Sequence, residues 1–290
     1  MDNSKFPIIS ILMTAYNRQD FITEAIESVL RSKRHDWELI VVDDCSIDRT
    51  YTIATQFKQK DHRIRVIRND KNLGDYTNRN LAASYAAGKY ITYLDSDDYY
   101  LEDGLSYIVE QMEQEPEADW GIYDPGKKMK CLMMNSSEAI DMHFFHQPFL
   151  TIGPGGTIIK RLFFERIGGY PEKYGPANDN YFNLKAAASG NTLILTSDFF
   201  HYRLHEGQQL NNRFAYLYYN YNNQRDAFSE LKLPLSESQI QWLIKKNKRR
   251  LSVNLVRFFL KDKSLKRLKY IIEKTEFSYR DFIQGIFHLG

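Results

Sequence analysis

Cysteine is scarce in this sequence: Cys45 and Cys131 are the two in 290 residues. Two thiols build no disulfide framework, which points to a reducing compartment. Their separation is not that of a zinc site either. Eight prolines and fifteen glycines are too few for a collagen-like or linker-rich chain. No stretch reaches the roughly 18 apolar residues of a membrane span, and Met1–Pro7 carries no apolar run behind a basic cluster. A soluble, cytoplasmic protein is expected, with peripheral contact at the inner membrane face left open.

Several signatures of known chemistry are missing too. No Gly-x-Gly-x-x-Gly follows the first predicted strand, and no Gly-x-x-x-x-Gly-Lys-Ser/Thr occurs. Dinucleotide binding of the Rossmann kind and P-loop phosphate binding lose their main support. His-Glu-x-x-His and Gly-x-Ser-x-Gly are also absent, which argues against a zinc protease and a hydrolase nucleophile elbow.

What is present suits one large α/β domain with a helical appendage. The net charge of +2 hides an uneven distribution. Residues 240–274 hold twelve Lys/Arg against two Asp/Glu, so the rest of the chain carries an excess of eight acids. Aromatic residues make up 14% of the chain, led by twenty Tyr and eighteen Phe, and their use has to be found.

The first half alternates strand and helix signals. Ile8–Thr14 and Glu38–Val42 are apolar runs of the kind buried on both faces of a parallel sheet, and Arg63–Arg68 and Tyr90–Leu94 read as the third and fourth strands. Helical periodicity lies between them: Phe21–Leu30 with Asn17 offered as N-cap, then 48–59, then 76–87 with Gly88 as C-cap. This order predicts a doubly wound, mostly parallel sheet with right-handed crossovers. Further on, 162–167 and 179–189 read as helices, 192–195 and 199–204 as strands, and everything after about Phe214 as helix.

Polar residues stand where the strands end: Thr14 and Tyr16, Asp43 and Asp44, Asn72 and Gly74, Asp95 and Asp97. In open parallel sheets the crevice beyond those ends is the ligand site. The carboxylates of Asp95-Ser96-Asp97-Asp98 suit Mg²⁺ or Mn²⁺, which in turn suit phosphates. A polar turn with Asp as N-cap is the plainer reading of either acidic cluster alone. Two clusters at neighbouring strand ends favour a site.

In combination, Ser10–Asn17, Val41–Thr50, Asn72-Leu73-Gly74, Arg79-Asn80 and Gly88–Asp98 resemble the family 2 glycosyltransferases over about residues 7–210. That resemblance implies a GT-A fold, a nucleotide-sugar donor (UDP by default) and an inverting transfer. Thr14 and Tyr16 match the motif bordering the nucleotide, with Tyr16 near the base. Asp44 matches the carboxylate that contacts the base, Asp43 its neighbour, and Arg79 a basic residue near the nucleotide. Asp95, Ser96 and Asp97 match the Asp-x-Asp motif, with Asp97 on the metal and Asp98 one residue away as the alternative. Asp179 matches the catalytic base, and its plainer reading is a helix N-cap. The family pattern has Glu-Asp there, whereas this chain has Asn178-Asp179. His205, within Tyr202–Gly207, matches a histidine that approaches the metal or diphosphate. His143 and His146 lie in an unpatterned region and read as structural.

Strand signals vanish after about Phe214, which sets a boundary near Asn212, with the catalytic domain at 1–212 and 213–290 as a basic helical extension. Leu243, Ile244, Leu251, Leu255, Phe258, Phe259, Leu265 and Leu268 recur there among lysines and arginines. Such a segment packs on the catalytic domain, or lies on an anionic membrane where each cation adds roughly 1 kcal/mol. No motif supports nucleic-acid binding. Tyr216, Tyr218, Tyr219 and Tyr221 either pack as core or present faces to a sugar. The leading expectation is transfer of a sugar to a hydroxyl of a glycan or lipid-linked acceptor in surface polysaccharide synthesis. A nucleotidyltransferase and a catalytically silent nucleotide-sugar-binding module are the competing ones.

Overall fold

The computed structural model describes residues 6–126, 132–205 and 213–287. The boundary expected near Asn212, the end of the late motif at Glu206-Gly207, and Cys131 lie outside the described residues. Four strands, β1 (Ile9–Ala15), β2 (Trp37–Asp43), β3 (Ile64–Arg68) and β4 (Tyr90–Tyr93), run parallel in the order β3-β2-β1-β4. Helices α1 (Ile22–Leu30), α2 (Thr50–Lys60) and α3 (Asp75–Ser84) connect them. Every residue of β2 is buried. Ile9, Ile11, Met13, Leu39 and Val41 face one apolar core, while Leu12, Ile40 and Val42 face the other. That period-2 division puts helices on both faces, so both faces of these strands are apolar.

No element is predicted from the sequence over residues 99–150. They supply β5 (Tyr99–Tyr100), α4 (Gly104–Gln114), β6 (Trp120–Tyr123), β7 (Met133–Met134) and α5 (Ser136–Asp141). Then come β8 (Thr157–Lys160), α6 (Arg161–Arg166), α7 (Asn178–Ser189), β9 (Thr192–Leu195) and β10 (Phe200–His201). Strand β8 inserts antiparallel between β4 and β6, β9 lies parallel to β6, and β7 closes that edge. The eight-stranded sheet is therefore mixed but mostly parallel. Strands β5 and β10 pair separately, Tyr99 opposite His201, so the strand expected over 199–204 shrinks to two residues.

Two expected caps are corrected. Helix α1 starts at Ile22 after Phe21, and Asn17 does not cap it. Asn17 instead takes a left-handed conformation (φ 53°), and its Oδ1 accepts a 3.0 Å bond from Ile47 N. This ties the loop after β1 to the loop after β2. Helix α3 stops at Ser84, short of Gly88. Glycine is needed at 88 because a Cβ there would lie 2.6 Å from Ser10 N on β1. Ser10 and Glu38, both buried, hold that turn by accepting from Gly88 N and Ala87 N.

The C-terminal part is helical as expected: α8 (Arg213–Glu230), α9 (Glu237–Asp262), α10 (Leu265–Thr275) and α11 (Tyr279–Phe287). Ala227, Phe228 and Leu243 join a core of the sheet. Ala215, Tyr218, Tyr221, Leu251, Leu255, Ile271 and Phe277 form an apolar cluster of the helices' own. Among the described residues no helix is long and apolar enough to cross a membrane.

Candidate active site

The loops after β1, β2 and β4 surround a cavity of about 820 Å³. Thr14, Tyr16, Asp44, Arg79, Asp95, Ser96 and Asp97 all line it, as does Asp179 from the start of α7. Residues from four separate segments therefore meet in one place, as strand-end chemistry predicts.

Asp44 is held by its surroundings. Its Oδ1 accepts from Asn69 Nδ2 and Leu73 N at 2.8 Å each, and its Oδ2 accepts from Gly74 N at 3.0 Å. Gly74 has φ +86° with open space where a Cβ would sit, so glycine serves the backbone turn there. Asp43 does not reach the cavity wall. It is fully buried, accepts from Ser46 N at 3.0 Å and sits 3.5 Å from Arg68 Nε. Tyr16 is 45% exposed, leaving a free aromatic face beside the cavity. Thr14 contributes its carbonyl, which accepts from Ser96 Oγ at 2.9 Å.

The acidic turn after β4 brings three carboxylates together. Single oxygens of Asp95, Asp97 and Asp98 lie within 4.8 Å of one another. Asp97 Oδ2 meets Arg18 Nε at 3.0 Å and His205 Nε2 at 2.9 Å, and Oδ1 has no partner among the described residues. His205 stacks on Phe21, so it stands at the site as a partner of Asp97. Asp95 pairs with Arg79 Nη2 at 2.7 Å, and burial raises its pKa despite that cation, with the Asp97 charge adding to the shift. Asp98 is buried, accepts from Arg203 N at 2.9 Å, and is pushed up to about 8 by burial and by the Asp95 charge. Converging acids held above their ordinary range are what a bound cation would relieve. The donor set is all hard oxygen, suited to Mg²⁺ or Mn²⁺.

Arg79 is buried and also meets Asp75 Oδ1 at 2.8 Å, while its Nη1 has no partner among the described residues. A buried, half-satisfied guanidinium on a cavity wall is prepared for an anion.

Asp179 stands in the first turn of α7, where its Oδ1 accepts from Asn180 N at 2.7 Å. It does not make the N-cap bond of the plainer reading. Burial pushes its pKa up to about 7, opposed by that backbone bond and by Arg79. Gly153 faces it, with a Cβ there 3.9 Å from Asp179 Oδ2. Asn178 beside it is structural: it accepts from Tyr174 N at 2.9 Å and donates to Gly175 O at 2.8 Å. The Asn in place of Glu therefore fills a position that needs a donor and an acceptor together.

Cavity residues that sequence reasoning left aside include Arg18, Gly153–Gly156, Tyr123, Phe200 and Tyr202. The four tyrosines of α8 divide: Tyr216 lines the cavity, while Tyr218 and Tyr221 are buried in the helical cluster. His143 accepts from Phe149 N and Leu150 N, and burial lowers its pKa to about 4. His146 bonds to Asp141 on the surface. Both histidines act locally, as expected.

Comparisons with known proteins agree with this geometry. A family model described as "Glycosyl transferase family 2" matches residues 10–164. The chain is 37% identical over 105 residues to the Escherichia coli UDP-Glc:alpha-D-GlcNAc-diphosphoundecaprenol beta-1,3-glucosyltransferase WfgD, covering 36% of this chain and 41% of that one. The chain spans about two fifths of the length of the first curated relatives it matches. Among solved structures, S. aureus TarS 1–349 in complex with UDP-GlcNAc superposes with a TM-score of 0.75 at 21% identity, over 96% of this chain and 81% of that one. The mannosyltransferase PcManGT from Pyrobaculum calidifontis, in complex with GDP-Man and Mn²⁺, gives 0.59 at 14% identity, over 98% and 87%. At such identities these likenesses show a shared fold.

Proposed function

This chain belongs to glycosyl transferase family 2, and from that premise we propose that it is a metal-dependent, inverting transferase using a UDP-sugar. The acceptor is a hydroxyl of a glycan or lipid-linked saccharide in surface polysaccharide synthesis. One observation carries the reading: a single cavity is lined by a three-carboxylate cluster and, from a different element, by a half-buried carboxyl whose pKa is pushed up to about 7.

Asp44 and Tyr16 bind the nucleoside, Asp44 through hydrogen bonds and Tyr16 by stacking on the base. Thr14 and Ser96 shape that wall, Asp43 supports the turn beneath it, and Arg79 offers its open Nη1 to the diphosphate. Asp97 holds the cation with Asp95 or Asp98, and His205 orients Asp97. A bound Mn²⁺ or Mg²⁺ supplies Lewis-acid stabilisation of the charge on the leaving diphosphate. Asp179 is the general base. The acceptor oxygen bonds to the anomeric carbon, its proton passes to the Asp179 carboxylate, and the sugar–phosphate C–O bond breaks with its electron pair on the diphosphate. Attack opposite the leaving group inverts the anomeric centre. A base with a pKa near 7 is ionised often enough at neutral pH and basic enough to take that proton.

UDP is favoured over other nucleotides by relatives whose names specify UDP-glucose and by the UDP-GlcNAc bound to TarS. The acceptor in the name of WfgD, a diphosphoundecaprenol-linked GlcNAc, is the precedent for a lipid-linked one. Residues 1–212 form the catalytic domain and 213–290 its extension, with the enzyme cytoplasmic and peripheral at the membrane. Leu260 and Leu265 support that placement, each 69% exposed beside Lys261, Lys263 and Lys266. Calorimetry with UDP, GDP and dTDP, with and without Mn²⁺, is the test. Metal-dependent UDP binding is expected, and no binding of any of the three would overturn the reading. Sedimentation with anionic liposomes at low salt tests the membrane contact, which fails if the protein stays in solution.

A further inference from the structure

A second, smaller cavity of about 170 Å³ lies between α8 and α9. Its walls are Tyr216, Leu217, Asn220 and Tyr221 from α8, and Asn247, Arg250, Leu251 and Asn254 from α9. Tyr216 lines this cavity and the large one alike. The Asp179 charge raises the Tyr216 phenol pKa further, after burial. The small cavity therefore adjoins the large one at an α8 tyrosine, on a side separate from the β1, β2 and β4 loops that hold Asp44 and the acidic turn.

Its polar groups are unspent. Asn247 is 4% exposed, and its Nδ2 donates to Tyr221 O at 3.0 Å, which fixes the amide orientation. Asn247 Oδ1 is then left buried without a partner among the described residues. Buried polar atoms in native folds are nearly always satisfied, so an orphan at a cavity asks for a ligand or water. The side chains of Asn220 and Asn254 make no hydrogen bond among the described residues. Arg250 has no ion pair or hydrogen bond among them either, in contrast to Lys248, which reaches Asp281. Arg250 is exposed on one side of the cavity, and the protein around it lowers its pKa with no acid nearby to raise it. Lys245, Arg257 and Lys261 of α9 also lack an ion pair among the described residues, but Arg250 is the one that lines this cavity, where a cation beside three amides is suited to an anion carried on a hydroxylated body.

We propose that this cavity is an acceptor-side subsite for an acidic sugar unit, its anionic group on Arg250 and its hydroxyls on Asn247, Asn220 and Asn254. The proposal rests on the transferase reading above and adds the acceptor's chemistry: a phosphate- or carboxylate-bearing saccharide lies next to the reacting hydroxyl. Tyr216 forms the wall between the two units.

The test is ligand-observed NMR on the full chain saturated with UDP and Mn²⁺, so that the donor cavity is filled. Probes are glucose 1-phosphate, glucuronate, glucose and inorganic phosphate. At least one acidic sugar is expected to bind about tenfold more tightly than glucose, the advantage of a charge-assisted bond. Arg250→Gln should abolish that preference, Arg250→Lys should restore part of it, and UDP affinity should stay within about twofold in both. A stronger glucose 1-phosphate signal assigns a phosphate-bearing acceptor, and a stronger glucuronate signal a uronic acid. Equal binding of glucose, a preference that survives Arg250→Gln, or inorganic phosphate binding as well as the acidic sugars would each overturn the proposal. If UDP itself fails to bind, the donor reading falls, while the Arg250→Gln comparison still decides the subsite.

Discussion

Replacing Asp179 with Asn should abolish transfer and, at the same time, stabilise the protein in a pH-dependent way. Burial raises the Asp179 pKa from an ordinary 3.8 to about 7. A carboxyl whose folded pKa lies above its unfolded one contributes stability in full below the unfolded value, and loses it as pH rises through the folded value. For Asp179 that window runs from near pH 4 to near pH 7. A rise of that size corresponds to about 4 kcal/mol, which the native protein gives up above pH 7 and the Asp179→Asn variant does not. The amide keeps the shape, and its Oδ1 can still accept from Asn180 N as Asp179 does at 2.7 Å. At about 2 °C per kcal/mol for a chain this long, the variant should melt ~8 °C higher at pH 8 and at nearly the same temperature at pH 4. Relaxation of the site trims this, and half of it still leaves about 4 °C. Asp95 and Asp98 also have raised pKa values, but both proteins contain them, so the difference isolates position 179. The assay is differential scanning calorimetry of both proteins without metal across pH 4–8, beside a transfer assay. A difference in melting temperature that does not grow with pH would refute burial as the cause, and retained transfer would remove Asp179 as the base.

Other consequences are as direct. The pH profile of kcat/KM, which reports the free enzyme, should rise with unit slope and level off near pH 7, as Asp179 must be ionised to act; a flat profile over pH 5–8 would contradict that. Asp97→Asn should cut Mn²⁺-dependent UDP affinity at least about tenfold by calorimetry, and unchanged metal dependence would move the cation to other residues. Asp44→Asn sets an amide against Leu73 N and Gly74 N, so urea unfolding should show a loss of about 1–3 kcal/mol along with weaker UDP binding. Gly88→Ala drives a Cβ to within 2.6 Å of the Ser10 backbone and should cost about 1–3 kcal/mol by the same measurement, with UDP affinity in the folded fraction retained.

Strands β1 and β2 were legible in the sequence because burial on both faces forces unbroken apolar runs, whereas β3 mixes Ile and Val with Arg65 and Arg68 and buries only Ile64. The acidic strand ends were legible because clusters at the ends of β2 and β4 both stand where the ligand crevice of such a sheet opens, even though Asp43 and Asp98 serve to hold turns there. The middle was not. Strands β5 and β7 have two residues each, too short for any periodicity, and β8 owes its antiparallel place to a pairing with β4 and β6 that no local pattern encodes. Gly153-Pro154-Gly155-Gly156 has the composition of a turn, yet that composition does not say which wall it will line. Arg18 follows the first motif and reaches Asp97 across 79 positions, a contact made by the fold alone. The tyrosines of α8 were separable in principle: 215, 218 and 221 share one helical face, which is the buried one, and 216 falls off it.

The adjacent polar pairs around the cavity share one logic. Asp43 holds the turn after β2 through Ser46 N, and Asp44 lines the cavity. Asn178 holds the 174–175 turn, and Asp179 lines the cavity. Asp98 binds Arg203 N and so ties the acidic turn to the segment carrying His205, while Asp97 turns one oxygen to Arg18 and His205 and keeps the other open. In the pairs at 97–98 and 178–179 one residue ties a turn and its neighbour keeps an open oxygen for chemistry, whereas Asp44 lines the cavity with both oxygens engaged by the 69–74 segment. At the end of β2 successive side chains of the extended backbone point opposite ways, so Asp43 holds the turn and Asp44 lines the cavity without lengthening the loop, while Asn178 and Asp179 divide the same tasks at the start of α7. The same logic accounts for the departure at 178: the positioning member needs a donor as well as an acceptor, which an amide provides and an ionised carboxylate does not.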